Sequence, residues 1–238
     1  MNYGILNDGI SRRLFEEVNK RPFCNQCQIK RSHFSIHDKK FNCYSNLLPG
    51  FSSEKVKVPI DILIVAEAHG GGREDTFRPQ IDIEKEVGDL GDYYLMLPLI
   101  KFHQKEMRRL FTILNQNNKN WIFTDLIKCF VWQGNDKAKK LKGSENKDIA
   151  IQHCRQYLDN QLVTLLPNMV LSLGKTVTNQ YFHLRDPLSH GSVHECKVGG
   201  HSFKLVFSNF PSRNTADLWI QNGEWENIIP KLIKNKGN

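Results

Sequence analysis

Residues 60–72, which read Ile60-Asp-Ile-Leu-Ile-Val-Ala-Glu-Ala-His-Gly-Gly-Gly72, decide the fold, because a short apolar run leads directly into charged and turn residues. The run is rich in residues that favour strands and predicts a strand over residues 60–65. Three similar runs, each bounded by turn residues, predict strands over residues 121–126, 169–173 and 203–207.

Helical patterns lie between these strands. Apolar residues recur with helical spacing over residues 101–114 and 149–166. Residues 218–233 also look helical, with a break expected near Gly223 or Pro230. Because strands and helices alternate, we expect a three-layer α/β/α sandwich with a central, mainly parallel four-stranded sheet. Ligands of such sheets bind at the carboxyl ends of the strands, so functional residues are expected there.

The chain has 238 residues, with 33 Lys and Arg against 25 Asp and Glu, which gives a formal net charge of +8. An excess of positive charge favours a polyanionic partner such as nucleic acid. Basic residues cluster at 137–142, where they suit phosphate contacts or a solvated surface equally well. No apolar run approaches the roughly 18 residues of a membrane span. Asp8 and Arg12 stand where a signal peptide needs an apolar core, so we expect a cytoplasmic protein.

Three long stretches interrupt the alternation of strands and helices. We therefore expect a single domain over residues 1–238 with insertions at about residues 28–58, 80–101 and 133–147. Loops of this length in a compact domain usually carry function or remain disordered.

Six cysteines in a reducing compartment are expected to be thiols or metal ligands rather than disulfides. Cys24-Asn-Gln-Cys27 is a clamp whose spacing lets both thiolates bind one metal centre. A zinc site would add Cys43 with His33 or His37, which lie nearby along the chain.

An iron–sulfur site would instead add Cys129, just after a predicted strand, and Cys154 on the following helix. A third interpretation is that Cys129 and Cys154 are small buried hydrophobic residues. The spacing of the cysteines leaves these alternatives open.

Several motifs follow one another along the chain in a definite order. After the first strand come Glu74-Asp75 and Arg78-Pro79, and later Asp125-Leu-Ile-Lys-Cys129, residues 167–174 (Pro-Asn-Met-Val-Leu-Ser-Leu-Gly) and Asn209-Phe-Pro-Ser-Arg213. Over roughly residues 20–232, this order resembles the uracil-DNA glycosylase superfamily, and in particular its iron–sulfur-containing family 4.

The resemblance implies a set of metal ligands. Family 4 holds a [4Fe–4S] cluster through an N-terminal Cys-x-x-Cys, a cysteine that ends a strand motif and a cysteine on the next helix. The corresponding residues here are Cys24, Cys27, Cys129 and Cys154, and the cluster is expected to be structural. Cys43 and Cys196 have no counterpart in the family and are left unassigned.

Asp125 departs from the family, which usually has Asn at this position. The Asn amide donates to O4 of uracil and accepts from N3–H. An ionised Asp offers only acceptors, so it would repel O4 but receive the exocyclic amino group of cytosine, and a protonated Asp would also donate to cytosine N3. Asp125 therefore indicates a base with a cytosine-type edge, unless it is a structural residue after a strand.

A second departure lies beside the expected base pocket. The family's Arg-Pro-Phe is here Arg78-Pro79-Gln80, and Phe102 takes the place of the phenylalanine that stacks on the base. Residues 80–101 then form an insertion whose carboxylates and tyrosines suit the hydroxyls and ring of a sugar. The alternative is a surface excursion with a core-facing apolar segment.

Cleavage of an N-glycosidic bond requires stabilisation of a cationic sugar and a departing base, and an oriented water. The candidates for the water and the sugar are Glu67, Glu74 and Asp75, and His69 is a candidate assistant beside the base. The second motif lacks the family's histidine, so Asn209 or Phe210 stands there, and Asn209 still offers a donor to O2 of the base. The expected DNA contacts are Lys128, Ser212, Arg213 and Asn214.

These features predict a monomeric, monofunctional DNA glycosylase that acts on a bulky modified cytosine. The chain resembles the anti-phage glycosylases of the superfamily, which remove α-glucosylated 5-hydroxymethylcytosine from phage DNA and leave abasic sites. Two alternatives remain from the sequence: a uracil-DNA glycosylase of base-excision repair, and a non-catalytic iron–sulfur module that binds DNA.

Overall fold

The protein is described here from a computed structural model. The described residues are 51–53, 56–68, 102–127, 143–185, 188–211, 219–220, 223 and 225–234. Most of the expected insertions, at 28–50, 80–101 and 133–142, lie outside these ranges.

Among the described residues, six strands form one sheet. In chain order they are β1 (Phe51–Ser52), β2 (Ile62–Ala68), β3 (Trp121–Ile127), β4 (Met169–Leu173), β5 (Val193–Val198) and β6 (His201–Ser208). They lie side by side in the order β1-β3-β2-β4-β6-β5. The four central strands are parallel, whereas β1 and β5 are antiparallel edge strands. The predicted parallel four-stranded core is therefore confirmed.

Helices cover both faces of this sheet. The helices are α1 (Phe102–Gln116), α2 (Gly143–Leu165), a π-helical turn (Val177–Tyr181) and the short α3 (Ile229–Ile233). None of the helices in the described part of the chain is both long and apolar enough to cross a membrane.

The two faces of β2 pack into two separate hydrophobic cores. Leu63 and Val65 pack in a core that includes Leu158 of α2, whereas Ile62 packs on the other side in a core that includes Leu110 of α1. A strand that is covered on both faces needs apolar side chains at successive positions, which explains the unbroken run that begins at Ile62. The three-layer α/β/α sandwich expected from the sequence is confirmed.

The helix predicted over residues 149–166 begins earlier, at Gly143. The first turns of α2 are polar, so they lack the apolar spacing on which the prediction depended. At the other end the helix stops at Leu165, and Leu166 adopts a positive φ of 48°. The last five residues of the expected insertion 133–147 therefore belong to the first turns of α2.

The sequence did not predict the two edge strands. β1 has only two residues, and β5 alternates between exposed and half-buried positions without an apolar run. An edge strand pairs on one side only and packs less of its surface, so its sequence carries a weaker pattern. The pairing of β5 with β6 places residues 188–192 beside the carboxyl end of β6.

The C-terminal segment is helical only in part, as the expected break indicated. Gly223 adopts a φ of 75°, and the N–H groups of Gly223 and Glu226 donate to carbonyls three residues earlier, as in consecutive turns. Pro230 lies in the first turn of α3, where its missing N–H costs no helical hydrogen bond.

Candidate active site

The carboxyl ends of the four parallel strands meet at one edge of the sheet. The register pairs Ala66 of β2 with Asp125 of β3, and Leu173 of β4 with Ser208 of β6. Gly174, which follows β4, donates its N–H to the carbonyl of Ser208 at 2.7 Å. In open α/β sheets this edge is where ligands bind, and four of the sequence-predicted site residues lie on it or directly after it.

Asp125 is the most deeply buried of these residues. Asp125 is only 2% exposed, and it lies two residues before β3 ends at Ile127. Asp125 lies two residues after Phe123 and so on the same face of the strand. The ring of Phe123 meets that of Phe111 of α1 at 5.8 Å, so Asp125 belongs to the face covered by α1. Burial of a carboxyl group is costly, and a position that retains one at a ligand-binding edge is a candidate for recognition or catalysis.

Glu67 lies on the neighbouring strand β2 and is half-buried. It follows Ala66, the register partner of Asp125, by one residue. Alternation along β2 places Glu67 on the same face as Val65, which packs in the core beneath α2. The two carboxyl groups therefore approach the edge of the sheet from opposite faces of adjacent strands.

Asn209 and Phe210 follow the last residue of β6. The backbone N–H of Asn209 donates to Nδ1 of His190 at 3.2 Å, and its carbonyl accepts from Oγ of Ser208 at 2.8 Å. Phe210 packs against the hydrophobic core on the α1 face, close to Gly174. Asn209 is half-buried at this edge, whereas the side chain of Phe210 is engaged in packing.

His190 is a residue at this edge that the sequence analysis missed. Besides its contact with Asn209, its ring lies edge-on to the indole of Trp219, with centroids 5.1 Å apart. The adjacent Gly191 donates its N–H to the carbonyl of Phe207 at 2.8 Å. A lone histidine in a polar loop carries no motif, so only the pairing of β5 with β6 reveals its place.

Phe102, the expected stacking residue, is the first residue of α1. Helix α1 covers the Asp125 face of the sheet. The side chain of Phe102 lies outside what the structure describes. Glu74, Asp75 and His69 of the expected site also lie outside the described residues, as do the expected DNA contacts Lys128, Ser212, Arg213 and Asn214.

Of the four expected cluster ligands, only Cys154 lies within the described residues. Cys24, Cys27 and Cys129 do not. Cys154 is 4% exposed and packs in the core between α2 and the sheet, together with Ile127 at the end of β3. Within the described ranges no group of three or more His, Cys, Asp or Glu side chains is arranged to hold a metal ion.

A polar cluster connects α2 to the π-helical turn and the residues just after it, and one of its members, Arg155, directly follows Cys154 in the sequence. Arg155 contacts Nε2 of His183 at 2.9 Å and lies over the ring of Tyr181 at 5.1 Å. Tyr181 donates its hydroxyl to Asp159. Burial, aided by the hydrogen bond and the negative charge of Asp159, raises the pKa of Tyr181 far above its ordinary value. These contacts fix the π-helical turn to α2.

A comparison with models of protein families finds a match. The family model of the Uracil DNA glycosylase superfamily matches residues 61–228 of the chain. This range begins just before β2, ends just before α3 and includes Glu67, Asp125, His190 and Asn209. No curated protein matches the chain.

Proposed function

The chain belongs to the uracil DNA glycosylase superfamily, whose members are DNA glycosylases, and from this premise we propose that it excises a bulky modified cytosine from DNA. The proposed base is α-glucosylated 5-hydroxymethylcytosine. Hydrolysis breaks the bond between C1′ of the sugar and N1 of the base, adds the oxygen of water to C1′ and leaves an abasic site. The proposed biological role is defence against phages whose DNA carries this base.

The observation that carries the proposal is the buried Asp125 at the carboxyl end of β3. A base that is flipped out of the duplex is recognised by the donors and acceptors of its pairing edge. A carboxylate accepts from the amino group of cytosine but repels O4 of uracil, which is itself an acceptor. A carboxylate at this depth therefore favours a cytosine-type edge over a uracil-type edge.

The connection between β2 and α1 supports a substrate larger than an unmodified base. The chain leaves the carboxyl end of β2 at Ala68 and returns at Phe102, so residues 69–101 are attached at both ends to the site edge or to the helix beside it. The carboxylates and tyrosines of residues 80–101 suit the hydroxyls of a sugar. Selection for such a substituent would spare the ordinary cytosines of a host genome.

Two further described residues at this edge are proposed to take part in hydrolysis. Glu67, half-buried on β2, is proposed to orient the attacking water and to stabilise positive charge on the sugar. Asn209 is proposed to donate from its carboxamide to O2 of the departing base, where negative charge develops. Glu74 and Asp75 are proposed to assist Glu67.

We also propose a structural [4Fe–4S] cluster held by Cys24, Cys27, Cys129 and Cys154. Cys154 fits this role, since it is buried against the core, where solvent is excluded from a bound cluster. It shares that core with Ile127, and Cys129 follows Ile127 by two residues, a span of at most about 7 Å. Iron and labile sulfide in the anaerobically purified protein, both lost in Cys154→Ser, would support the cluster, whereas zinc without iron would exclude it.

The decisive experiment compares matched duplexes that contain uracil, 5-hydroxymethylcytosine or its α-glucosylated form at one position. Mass spectrometry of the released bases and cleavage of the abasic strand are both measured. We expect release of the glucosylated base and little or no uracil. Release of uracil alone would assign the protein to uracil repair, and DNA binding without release of any base would indicate a non-catalytic module.

Asp125→Asn tests the observation that carries the proposal. We expect this variant to lose activity towards the glucosylated cytosine by roughly 10- to 100-fold, because a hydrogen bond to a charged group is worth about 1.5–3 kcal/mol. Relative activity towards uracil should rise. Asp148→Asn, the same chemical change at an exposed position of α2, is the matched control. Unchanged base preference in Asp125→Asn would contradict the proposed role.

A further inference from the structure

His190 and Asn209 are held together at the edge of the sheet where the parallel strands end. The N–H of Gly191 donates to the carbonyl of Phe207, and the N–H of Phe207 donates to the carbonyl of Ser192, at 2.8 and 2.9 Å. This exchange anchors the turn at residues 189–192 to β6. The histidine side chain is thereby placed against the first residue after the strand, where it meets the Asn209 N–H at 3.2 Å.

The hydrogen bond assigns roles to the two ring nitrogens of His190. A backbone N–H can only donate, so Nδ1 must be the acceptor and the ring proton of the neutral imidazole lies on Nε2. The Nδ1 contact fixes the ring against the backbone of Asn209. Without it, the N–H of a half-buried residue at the end of a strand would lose its partner.

Aromatic packing restricts the ring further. The indole of Trp219 meets the imidazole edge-on, with an interplanar angle of 82°, and Trp219 is completely buried. Trp219 packs in turn against Trp225 at 4.6 Å, and Trp225 donates its indole N–H to the carbonyl of Glu106 on α1 at 3.1 Å. The position of His190 is therefore coupled through two tryptophans to the helix that covers the Asp125 face.

We propose that His190 is a positioning residue of the glycosidic cleavage, which acts by accepting the Asn209 N–H at Nδ1 and so holding the backbone from which the Asn209 carboxamide reaches the departing base. The inference rests on the proposed function, because it gives Asn209 the role of donor to O2. A donor stabilises developing charge only when it is held in place before the reaction. A displacement of about 1 Å in such a group can lower the rate roughly 100-fold.

Two isosteric substitutions separate the two ring nitrogens. In His190→Asn the carboxamide oxygen can take the place of Nδ1 and accept the Asn209 N–H, whereas in His190→Gln the carboxamide reaches the place of Nε2. His190→Ala removes both. The full chain is assayed in each case on the duplex that the wild type cleaves, with kcat, KM and the Kd for uncleaved duplex measured.

We expect kcat to fall roughly 10- to 100-fold in His190→Ala and His190→Gln, with KM and Kd within about threefold of wild type, and to stay within about threefold in His190→Asn. Activity that is retained by Gln and lost by Asn would overturn the inference in favour of a direct role for Nε2. Wild-type kcat in all three variants would overturn it as well.

A second measurement does not depend on activity. The imidazole ¹⁵N shifts of His190 in the labelled wild-type protein report which nitrogen carries the proton. We expect a protonated Nε2 and an unprotonated, hydrogen-bonded Nδ1, and the opposite tautomer would overturn the inference. A wild-type protein that releases no base from any duplex would instead overturn the proposed function, even if the tautomer is as expected.

Discussion

At the scale of single residues, Glu67 combines partial burial with a place at the carboxyl end of a central strand. Glu67→Gln keeps the shape of the side chain but removes the negative charge that would orient water and stabilise a cationic sugar. We expect single-turnover cleavage to slow by roughly 10²- to 10⁴-fold, the range typical of a lost acid–base group.

The Glu67→Gln experiment needs evidence that the DNA still binds. We expect the Kd for uncleaved duplex to change little, since removal of a negative charge does not weaken contacts with phosphate. Glu226→Gln, at an exposed position near α3, is the matched control and should cleave at the wild-type rate. A fully active Glu67→Gln would transfer the proposed role to Glu74 or Asp75.

Tyr181 makes the stability of the folded protein depend on pH, for a reason that the structure explains. Burial and Asp159 raise the pKa of Tyr181 in the folded state, whereas the unfolded chain has the ordinary value near 10. Above that value the unfolded chain binds fewer protons than the native state. The stabilisation from the neutral phenol is therefore complete below pH 10 and decreases as the pH rises further.

Tyr181→Phe is the variant that isolates this contribution, because it keeps the ring and removes the titrating group. We expect the free energy of unfolding of the wild type, measured by urea denaturation, to fall more steeply than that of the variant above pH 10. The difference in slope should approach about 1.4 kcal/mol per pH unit. Parallel curves above pH 10 would show that Tyr181 titrates normally in the folded protein.

At the scale of the elements, the two-residue turn between β5 and β6 lies against α2. Gly199 and Gly200 have φ values of 53° and 87°, as a tight hairpin turn requires. A Cβ at Gly199 would lie 2.5 Å from Cγ2 of Val163 on α2, whereas a Cβ at Gly200 would meet nothing within 4 Å. The turn therefore has one crowded and one open glycine.

Gly199→Ala and Gly200→Ala form a matched pair, because both place an alanine at positive φ. We expect each to lower the free energy of unfolding by about 1 kcal/mol, and Gly199→Ala to lose roughly 1–3 kcal/mol more through its clash with Val163. Chemical denaturation measures both losses. Val163→Ala should remove the extra loss in the Gly199→Ala background, and equal losses in the two single variants would refute the crowding.

The helices and strands differ in how far the sequence predicted them. The central strands and α1 were predicted within a few residues, because burial on both faces or on one helical face leaves a strong local pattern. β5 was missed, because its pairing partner rather than its own composition makes it a strand. The beginning of α2 was missed, since its polar first turns carry no apolar periodicity.

At the scale of the whole molecule, the net charge of +8 is expected to govern the affinity for DNA more than its specificity. Each Lys or Arg that contacts a phosphate releases counterions, so the logarithm of the binding constant falls with the logarithm of the salt concentration. We expect the slope to decrease in size by about 1.8 in Lys139→Gln/Lys140→Gln if both contact phosphate.

Lys57→Gln/Lys204→Gln is the matched control for the salt experiment. Both lysines are exposed, and both lie at the amino-terminal edge of the sheet: Lys57 bonds to Asn120, just before β3, and Lys204 pairs with Met169, which begins β4. We expect the salt slope of this variant to equal that of the wild type. Equal losses of slope in both double variants would show a diffuse charge effect without a defined contact at 139–140.

The sequence by itself determined the order of the central strands and the main helices and the parallel core, because burial and turns are encoded in neighbouring residues. Its ordered motifs indicated the superfamily. It also indicated Glu67, Asp125 and Asn209 through motifs at strand ends. Only the tertiary structure decided that His190 meets Asn209 and that β5 closes one edge of the sheet. These contacts join residues that are distant in the chain or carry no motif, so they exist only once the hairpin has paired with the sheet.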